Sequence, residues 1–261
     1  MIWSDIHFYS ETLQIQTAAY VLLPEADVLQ ARGGKPLPAL YLLHGLSDDH
    51  TAWLRNSLIA RYARQYAVAV IMPAVNRSFY TDMAHGAKYW TFISEELPRV
   101  MEAIFPLMKT RDGRFAAGLS MGGYGAMKLG LRYPERYAAV AALSAPLMLH
   151  QMADAAPSQP NELLREMMDI FGSVAEMKLG DGNLEQAAAR LKAEEAPAML
   201  VACGTQDFLF EANQAFNTMF GQKFGIHYLT QAGADHTWDF WNAYIDKVLQ
   251  WLPLERLENV W

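Results

Sequence analysis

Arg114-Phe115-Ala116-Ala117-Gly118-Leu119-Ser120-Met121-Gly122-Gly123-Tyr124-Gly125-Ala126 is the stretch on which the reading of this chain turns. Its middle, Gly118 to Gly122, matches G-x-S-x-G. An apolar run over 115–119 leads in and predicts a buried strand. A helix-compatible run over 124–133 leads out. A serine on such a strand-to-helix turn forms a nucleophile elbow. A serine hydroxyl is a weak nucleophile, so it must project from the sheet edge toward a base. Glycines two residues before and after it let strand and helix pass closely. A five-residue pattern is short, and its meaning depends on what the rest of the chain supplies.

Composition narrows the field. The chain has 261 residues, enough for one large α/β unit with a buried core, and its 52% apolar content excludes a disordered chain. Net charge is -7 with no basic run, which argues against nucleic acid and anionic membranes as partners. Cys203 is the single cysteine, so no intramolecular disulfide and no cysteine metal site can form. The first residues lack a basic stretch followed by an apolar one, and no run reaches membrane-spanning length. These features lead us to expect a cytoplasmic protein.

Taken in order, residues 3–9 and 13–23 predict two strands close enough for an antiparallel hairpin. Residues 26–38, with Gly33-Gly34 and two prolines, predict a surface loop. A strand over 39–43 runs into the polar turn 44–49, and 53–66 predicts one helix with Leu54, Leu58, Ile59 and Tyr62 on a face. A strand over 68–72, a long loop over 74–90 and a helix over 95–105 follow, with Pro98 tolerable only in that helix's first turn. Beyond Ser120 come strands at 138–143, 198–203 and 226–230 and helices at 211–224 and 238–252. Residues 145–197, with Pro157 and Pro160, helices near 162–171 and 184–194, and glycine and aspartate breaks over 172–183, predict a cap-like insertion. The whole predicts a single α/β domain over 1–261. Its sheet should be mostly parallel with helices on both faces, plus the N-terminal antiparallel hairpin.

An acyl-transfer site needs a nucleophile, a base, an acid that orients the base, and oxyanion donors. In α/β-hydrolases these follow the order Ser, Asp or Glu, His. Seven histidines are present. His7 sits in the first strand, His44, His50 and His85 precede the serine, His150 opens the insertion, and His227 lies in an apolar strand. His236 alone lies in a loop between the last strand and last helix, so it is the candidate base. Asp207, after the strand 198–203 and Gly204, is the candidate acid. Asp181 sits in a glycine-rich turn, and Asp235 adjoins the histidine and suits a turn role. The amide of Met121 should be one oxyanion donor. Leu46, past His44-Gly45, should supply the other, with His44 holding that loop. Trp53, Tyr80, Trp90 and Trp238 are candidates for the substrate pocket, with Phe79 beside them. The stripe Leu163, Leu164, Met167, Met168 and Phe171 has the spacing of a packing face.

With those residues in place, the chain resembles the esterase D and S-formylglutathione hydrolase family, and within it the bacterial tributyrin esterase branch. The matching segments are Leu42-Leu43-His44-Gly45-Leu46-Ser47, Tyr80-Thr81-Asp82-Met83, Glu95-Glu96-Leu97-Pro98, Ala117 to Ala126, Arg132-Tyr133-Pro134, Cys203 to Leu209 and Asp235 to Trp238. The resemblance implies the α/β-hydrolase fold and a serine carboxylesterase with Ser120, Asp207 and His236 as triad. It also implies Leu46 and Met121 as oxyanion donors, preference for short acyl chains, and a homo-oligomer; aryl and acetyl esters are the further substrate candidates. No metal or cofactor is implied, and the expected partner is a small-molecule ester. S-formylglutathione hydrolases of this family carry a tryptophan and a cysteine around the oxyanion strand. Residues 42–47 have neither, which weakens the thioesterase alternative. An acyltransferase using the same triad, or a hydrolase-fold binding module without turnover, are the rival classes.

Overall fold

The computed structural model describes residues 1–149, 162–180 and 182–257. Eight strands form one sheet: β1 Ile2–Ser10, β2 Ile15–Leu23, β3 Ala39–Leu43, β4 Ala69–Pro73, β5 Arg114–Leu119, β6 Ala139–Leu143, β7 Ala198–Gly204 and β8 His227–Gln231. Their spatial order is β1-β2-β4-β3-β5-β6-β7-β8. β1 pairs antiparallel with β2 and β2 antiparallel with β4, and the remaining neighbours are parallel. The chain passes from β3 to β4 on one side, then returns to place β5 on the other. Ligands of open α/β sheets collect at such a reversal, outside the carboxyl ends of the strands.

The helices are α1 Ala26–Ala31, α2 Ala52–Asn56, α3 Ile59–Ala63, α4 Tyr89–Thr91, α5 Leu97–Ile104, α6 Met121–Arg132, α7 Glu162–Phe171, α8 Val174–Leu179, α9 Leu184–Arg190, α10 Phe210–Phe224 and α11 Trp238–Trp251. The central strands are short apolar runs because both faces are covered, and every residue of β3, β4 and β6 is buried. Alternation divides each strand between two cores. Ala39, Tyr41 and Leu43 join the layer with Met121, Tyr124 and Phe216. Leu40 and Leu42 join the layer with Trp53, Ile59, Tyr244 and Val248. No helix among the described residues is long and apolar enough to cross a membrane.

Several local expectations are corrected. Residues 26–38 were expected as loop, yet α1 occupies the start and buries none of its residues, so it leaves no amphipathic signature. The helix expected over 53–66 is two short helices. The break falls at Ser57 and Leu58, where the Leu58 amide donates to Asn242 Oδ1 of α11 at 2.8 Å and its side chain is exposed. A partner 184 residues away decides that break. Where glycine and aspartate breaks were expected over 172–183, α8 forms over Val174–Leu179, with Ser173 accepting from the Glu176 amide as N-cap. His150, Asp181 and the prolines at 157 and 160 lie outside the described residues.

Pro98 shows a subtler correction. It does sit in the first turn of α5, but the helical run begins earlier, at Tyr89, and passes through a π-helical turn over Phe92–Glu96. A proline inside a helix removes one amide and crowds the carbonyl four residues back. That carbonyl, Ser94 O, instead accepts from Arg136 Nη1 at 3.3 Å. The π-helical turn also points Glu96 inward. Its carboxylate accepts from Ser10 Oγ at 2.6 Å, Glu11 N at 2.8 Å and Thr12 N at 3.1 Å, tying the β1–β2 turn to the helix.

Burial pushes the Glu96 carboxyl up, but the bonds from Ser10, Thr12 and Glu11 outweigh it and hold it below the usual glutamate value. A depressed folded value stabilises the fold above the unfolded value of about 4.3 and ceases to as pH falls through the folded one. Glu96→Gln is therefore expected to cost about 2 kcal/mol at pH 7, with the gap to wild type closing below about pH 4. Urea unfolding of both proteins across that range reads it. A gap independent of pH would show that the charge is not what anchors the turn.

Candidate active site

β5 ends at Leu119 and α6 begins at Met121, leaving Ser120 alone on the turn with φ 50° and ψ -120°. A non-glycine residue at positive φ is strained by about 1–3 kcal/mol and persists only when its surroundings impose it. Here the surroundings are the two glycines. A Cβ on Gly118 would lie 2.4 Å from the Gly122 carbonyl carbon, and one on Gly122 would lie 2.3 Å from Leu43 O. Strand, helix and the end of β3 thus meet at backbone contact. The Ser120 amide donates to Leu143 O at 2.8 Å, which fixes the turn to β6.

Two loops at the same sheet edge bring the other groups. The loop after β7 and the loop after β8 are bonded through Gln206 N to Ala234 O at 2.9 Å and Thr205 N to Gln231 O at 3.0 Å. Gly204 lets them close up, since a Cβ there would meet Ala234 O at 2.3 Å. Asp207, 4% exposed, thereby faces His236, whose Nδ1 lies 2.9 Å from Asp207 Oδ2. His236 Nε2 lies 3.1 Å from Ser120 Oγ. The other carboxylate oxygen accepts from the Leu209 amide at 2.9 Å. Burial pushes the Asp207 carboxyl up. Bonds from His236 and the Leu209 amide, with the nearby Ser144 hydroxyl, more than reverse this and hold it below the usual aspartate value. An ionised carboxylate only accepts, so His236 carries its proton on Nδ1 and leaves Nε2 to accept from Ser120. Asp235 is exposed and turns its carboxylate to the His236 amide at 2.7 Å, a turn role.

The loop after β3 lies against the serine. A Cβ on Gly45 would sit 3.8 Å from the Ser120 Cβ and would clash with Leu119. The amides of Leu46 and Met121 have no acceptor among the described residues. His44 holds this loop. Its Nε2 accepts from the Val75 amide at 3.2 Å, so Nδ1 carries the proton and donates to Gly45 O at 2.8 Å. Burial pushes the His44 imidazole down and favours this neutral form. Tyr80 Oη donates to His44 O at 3.0 Å, while Lys128 Nζ on α6 donates to Tyr80 O at 3.0 Å and Thr81 Oγ1 at 2.9 Å. Tyr80 and Thr81 therefore brace the loop against α6.

The expected pocket aromatics divide. Trp53 and Tyr80 are core, 1% and 0% exposed, because their polar atoms find buried carbonyls at Leu43 and His44. Phe79 is buried as well, packed between Tyr124 and Phe171. Trp90 stacks on Tyr133 under Lys128 at a separate cleft of about 310 Å³. Trp238 meets Trp53 and Trp241 edge to face. Two rings not singled out in the sequence touch His236 instead. Trp241 stands perpendicular to it at 4.8 Å, and Phe208 lies 4.6 Å away with 73% exposure. Phe208 follows the candidate acid directly, and that adjacency was the available signal. His227 is exposed on β8 and remote from this cluster.

The segment carrying α7 to α9 packs against α6 and the loop after β4. Tyr124 Oη donates to Gly182 O at 2.6 Å, and Ala84 N donates to Ile170 O at 2.9 Å. Arg77 and Glu166 form a two-pronged ion pair. Met167 and Phe171 of the expected packing stripe are buried, Leu164 and Met168 are half-buried and Leu163 is exposed, while Ile170, outside the stripe, is buried with them.

A family model described as "Putative esterase" matches residues 10–252. An acetyl esterase of Caldicellulosiruptor saccharolyticus is 31% identical over 258 residues, covering 95% of this chain and 97% of its own. Among solved structures, the fluorophosphonate-binding serine hydrolase FphF of Staphylococcus aureus superposes with a TM-score of 0.86 at 32% identity, covering 96% of this chain and 98% of its own. The S-formylglutathione hydrolase FrmB of Staphylococcus aureus gives 0.80 at 32% identity, with the same coverage.

Proposed function

The chain belongs to this esterase family, within the esterase D group its motifs resemble, and we propose that it is a serine carboxylesterase cleaving short-chain acyl esters through an acyl-serine intermediate. The observation that carries the reading is the continuous path from Asp207 Oδ2 through His236 to Ser120 Oγ, at 2.9 Å and 3.1 Å. His236 Nε2 takes the Ser120 proton as Oγ attacks the ester carbonyl. The oxyanion is held by the amides of Leu46 and Met121, each donor contributing about 3 kcal/mol in the transition state. His236 then gives its proton to the departing alcohol. Water repeats the sequence on the acyl-serine and releases the acid. No step calls for a metal or cofactor.

An acetyl esterase among the relatives favours acetyl and other short acyl groups. Residues 145–197 act as a cap-like insertion in this reading, with Phe171 packed on Phe79 beside the elbow. We place the protein in the cytoplasm, as its composition suggests, and take it to act as a homo-oligomer, as the resemblance implies. S-formylglutathione hydrolysis is the second reading, favoured by the superposition on FrmB.

A substrate panel tests these together. Acetyl and butyryl 4-nitrophenyl esters are expected to be cleaved with higher kcat/KM than the octanoyl ester. Failure to cleave any ester, acetylated sugar or thioester would remove the reading, and faster turnover of S-formylglutathione would favour the thioesterase. Adding an alcohol and measuring product partition separates hydrolase from acyltransferase. Phe208 offers an exposed aromatic face beside the imidazole. Phe208→Ala is expected to lower kcat/KM for a feruloyl ester about tenfold, an aromatic burial of roughly 1.5 kcal/mol, and to change methyl acetate much less. Equal losses for both would mean the ring positions His236 rather than the substrate.

A further inference from the structure

The sheet ends at β1, whose Asp5 is its one acidic residue. Natural edge strands are kept short, covered, or protected by charges (lysine above all), proline or a bulge. β1 reads Ile-Trp-Ser-Asp-Ile-His-Phe-Tyr-Ser, with neither lysine nor proline, and pairs with β2 in continuous register from Ile2 to Ser10 without a bulge. It is also unusually apolar for a free edge. Trp3 and Tyr9 are 60% and 52% exposed, and Ile2 is exposed beside them. Asp5 and His7 are exposed too, with His7 Nε2 3.2 Å from Asp5 Oδ1.

We propose that the open edge of β1 pairs antiparallel with β1 of a second copy of this chain, about a twofold axis through Ile6. The proposal rests on the homo-oligomer reading above and specifies its surface. Trp3, Asp5, His7 and Tyr9 alternate along one face of the strand. A twofold axis normal to the sheet keeps that face continuous only if it passes through a residue. Residues equidistant from Ile6 then face one another. Asp5 comes opposite the partner's His7, and Trp3 opposite the partner's Tyr9, each pair occurring twice. The row reads aromatic, acid, base, aromatic, and is its own complement. An axis through Asp5 would set Asp5 against itself, and an axis through His7 would set His7 against itself. Two carboxylates directly opposite are unfavourable, whereas an imidazole N–H opposite a carboxylate and aromatic pairs are favourable.

A second complementarity lies at the strand's end. A groove of about 800 Å³ opens beside Trp3, bordered by Leu54, Leu58, Arg61 and Arg64. The same axis carries the partner's Glu11, just past the end of its β1, to the level of Met1 at the rim of that groove. Glu11 is highly exposed in the single chain. An acidic turn is thus delivered to a basic, apolar groove.

Size-exclusion chromatography with light scattering tests this on the full chain at micromolar concentration. Wild type is expected at twice the chain mass or a multiple of it. His7→Asp sets Asp5 against an aspartate and is expected to raise the dissociation constant at least about tenfold. The swap Asp5→His with His7→Asp restores the complement and is expected to restore assembly. Ester turnover by each variant shows that it is folded, since β1 lies outside the site. A monomeric wild type would overturn both this surface and the homo-oligomer reading. An oligomer indifferent to His7→Asp would overturn this surface and leave that reading standing. Failure of the swap to rescue would overturn the axis through Ile6.

Discussion

Ser120→Ala is expected to lower kcat/KM for a short-chain ester by about 10⁴- to 10⁶-fold, to abolish covalent labelling by a fluorophosphonate, and to leave folding stability nearly unchanged. Removing Oγ deletes the atom that lies 3.1 Å from His236 Nε2. The Cβ and the backbone bonds at Leu143 O and Tyr124 N remain. Ser120→Gly should be equally inactive yet separable from it. Its φ of 50° costs an alanine or serine but not a glycine. The glycine variant should therefore unfold later than the alanine variant, by about 1 kcal/mol in urea titration. That pair of results would mark the turn as a place where strain is held for reactivity. Turnover within tenfold of wild type for either variant would remove Ser120 as nucleophile, whatever the stability result.

The elbow was legible because several local signals coincide within thirteen residues. An apolar strand, two crowded glycines and a helix start all point to one turn. β3 was readable to the residue, 39–43, because a strand buried on both faces is a plain apolar run between polar segments. What stayed hidden depended on partners distant in sequence. The break at Ser57 and Leu58 needs Asn242, and the roles of Trp53 and Tyr80 need carbonyls at Leu43 and His44. An aromatic side chain reads the same whether its polar atom meets substrate or a buried carbonyl. Trp238 was a candidate for the substrate pocket, yet Trp241 is the tryptophan ring that faces His236. α11 starts at Trp238, so the residue one turn later swings back over the loop that precedes the helix. Glu96 was hidden for a related reason, since the π-helical turn that redirects it follows from Pro98 two positions on.

Asp207→Asn is expected to lower kcat by about 10⁴-fold with little change in KM, by reversing the tautomer of His236. The geometry makes the direction of this effect specific. In the wild type one carboxylate oxygen accepts from the Leu209 amide at 2.9 Å and the other from His236 Nδ1 at 2.9 Å. An asparagine has one oxygen and one NH₂ in those positions. The Leu209 amide can only donate, so it claims the oxygen, and the NH₂ is turned toward His236. Nδ1 must then accept, its proton moves to Nε2, and Nε2 can no longer take the proton of Ser120. Fluorophosphonate labelling should slow in step with turnover, because both need the same proton transfer. The substitution also removes a titrating group. With a folded value held below the ordinary aspartate range, Asp207 stabilises the fold above the unfolded value of about 3.9 and ceases to as pH falls through the folded one. The stability difference between wild type and Asp207→Asn should therefore shrink on acidification below about pH 4, in the same window as any loss of turnover that follows protonation of the acid. Turnover of the asparagine variant within tenfold of wild type would mean that His236 is oriented by something other than Asp207.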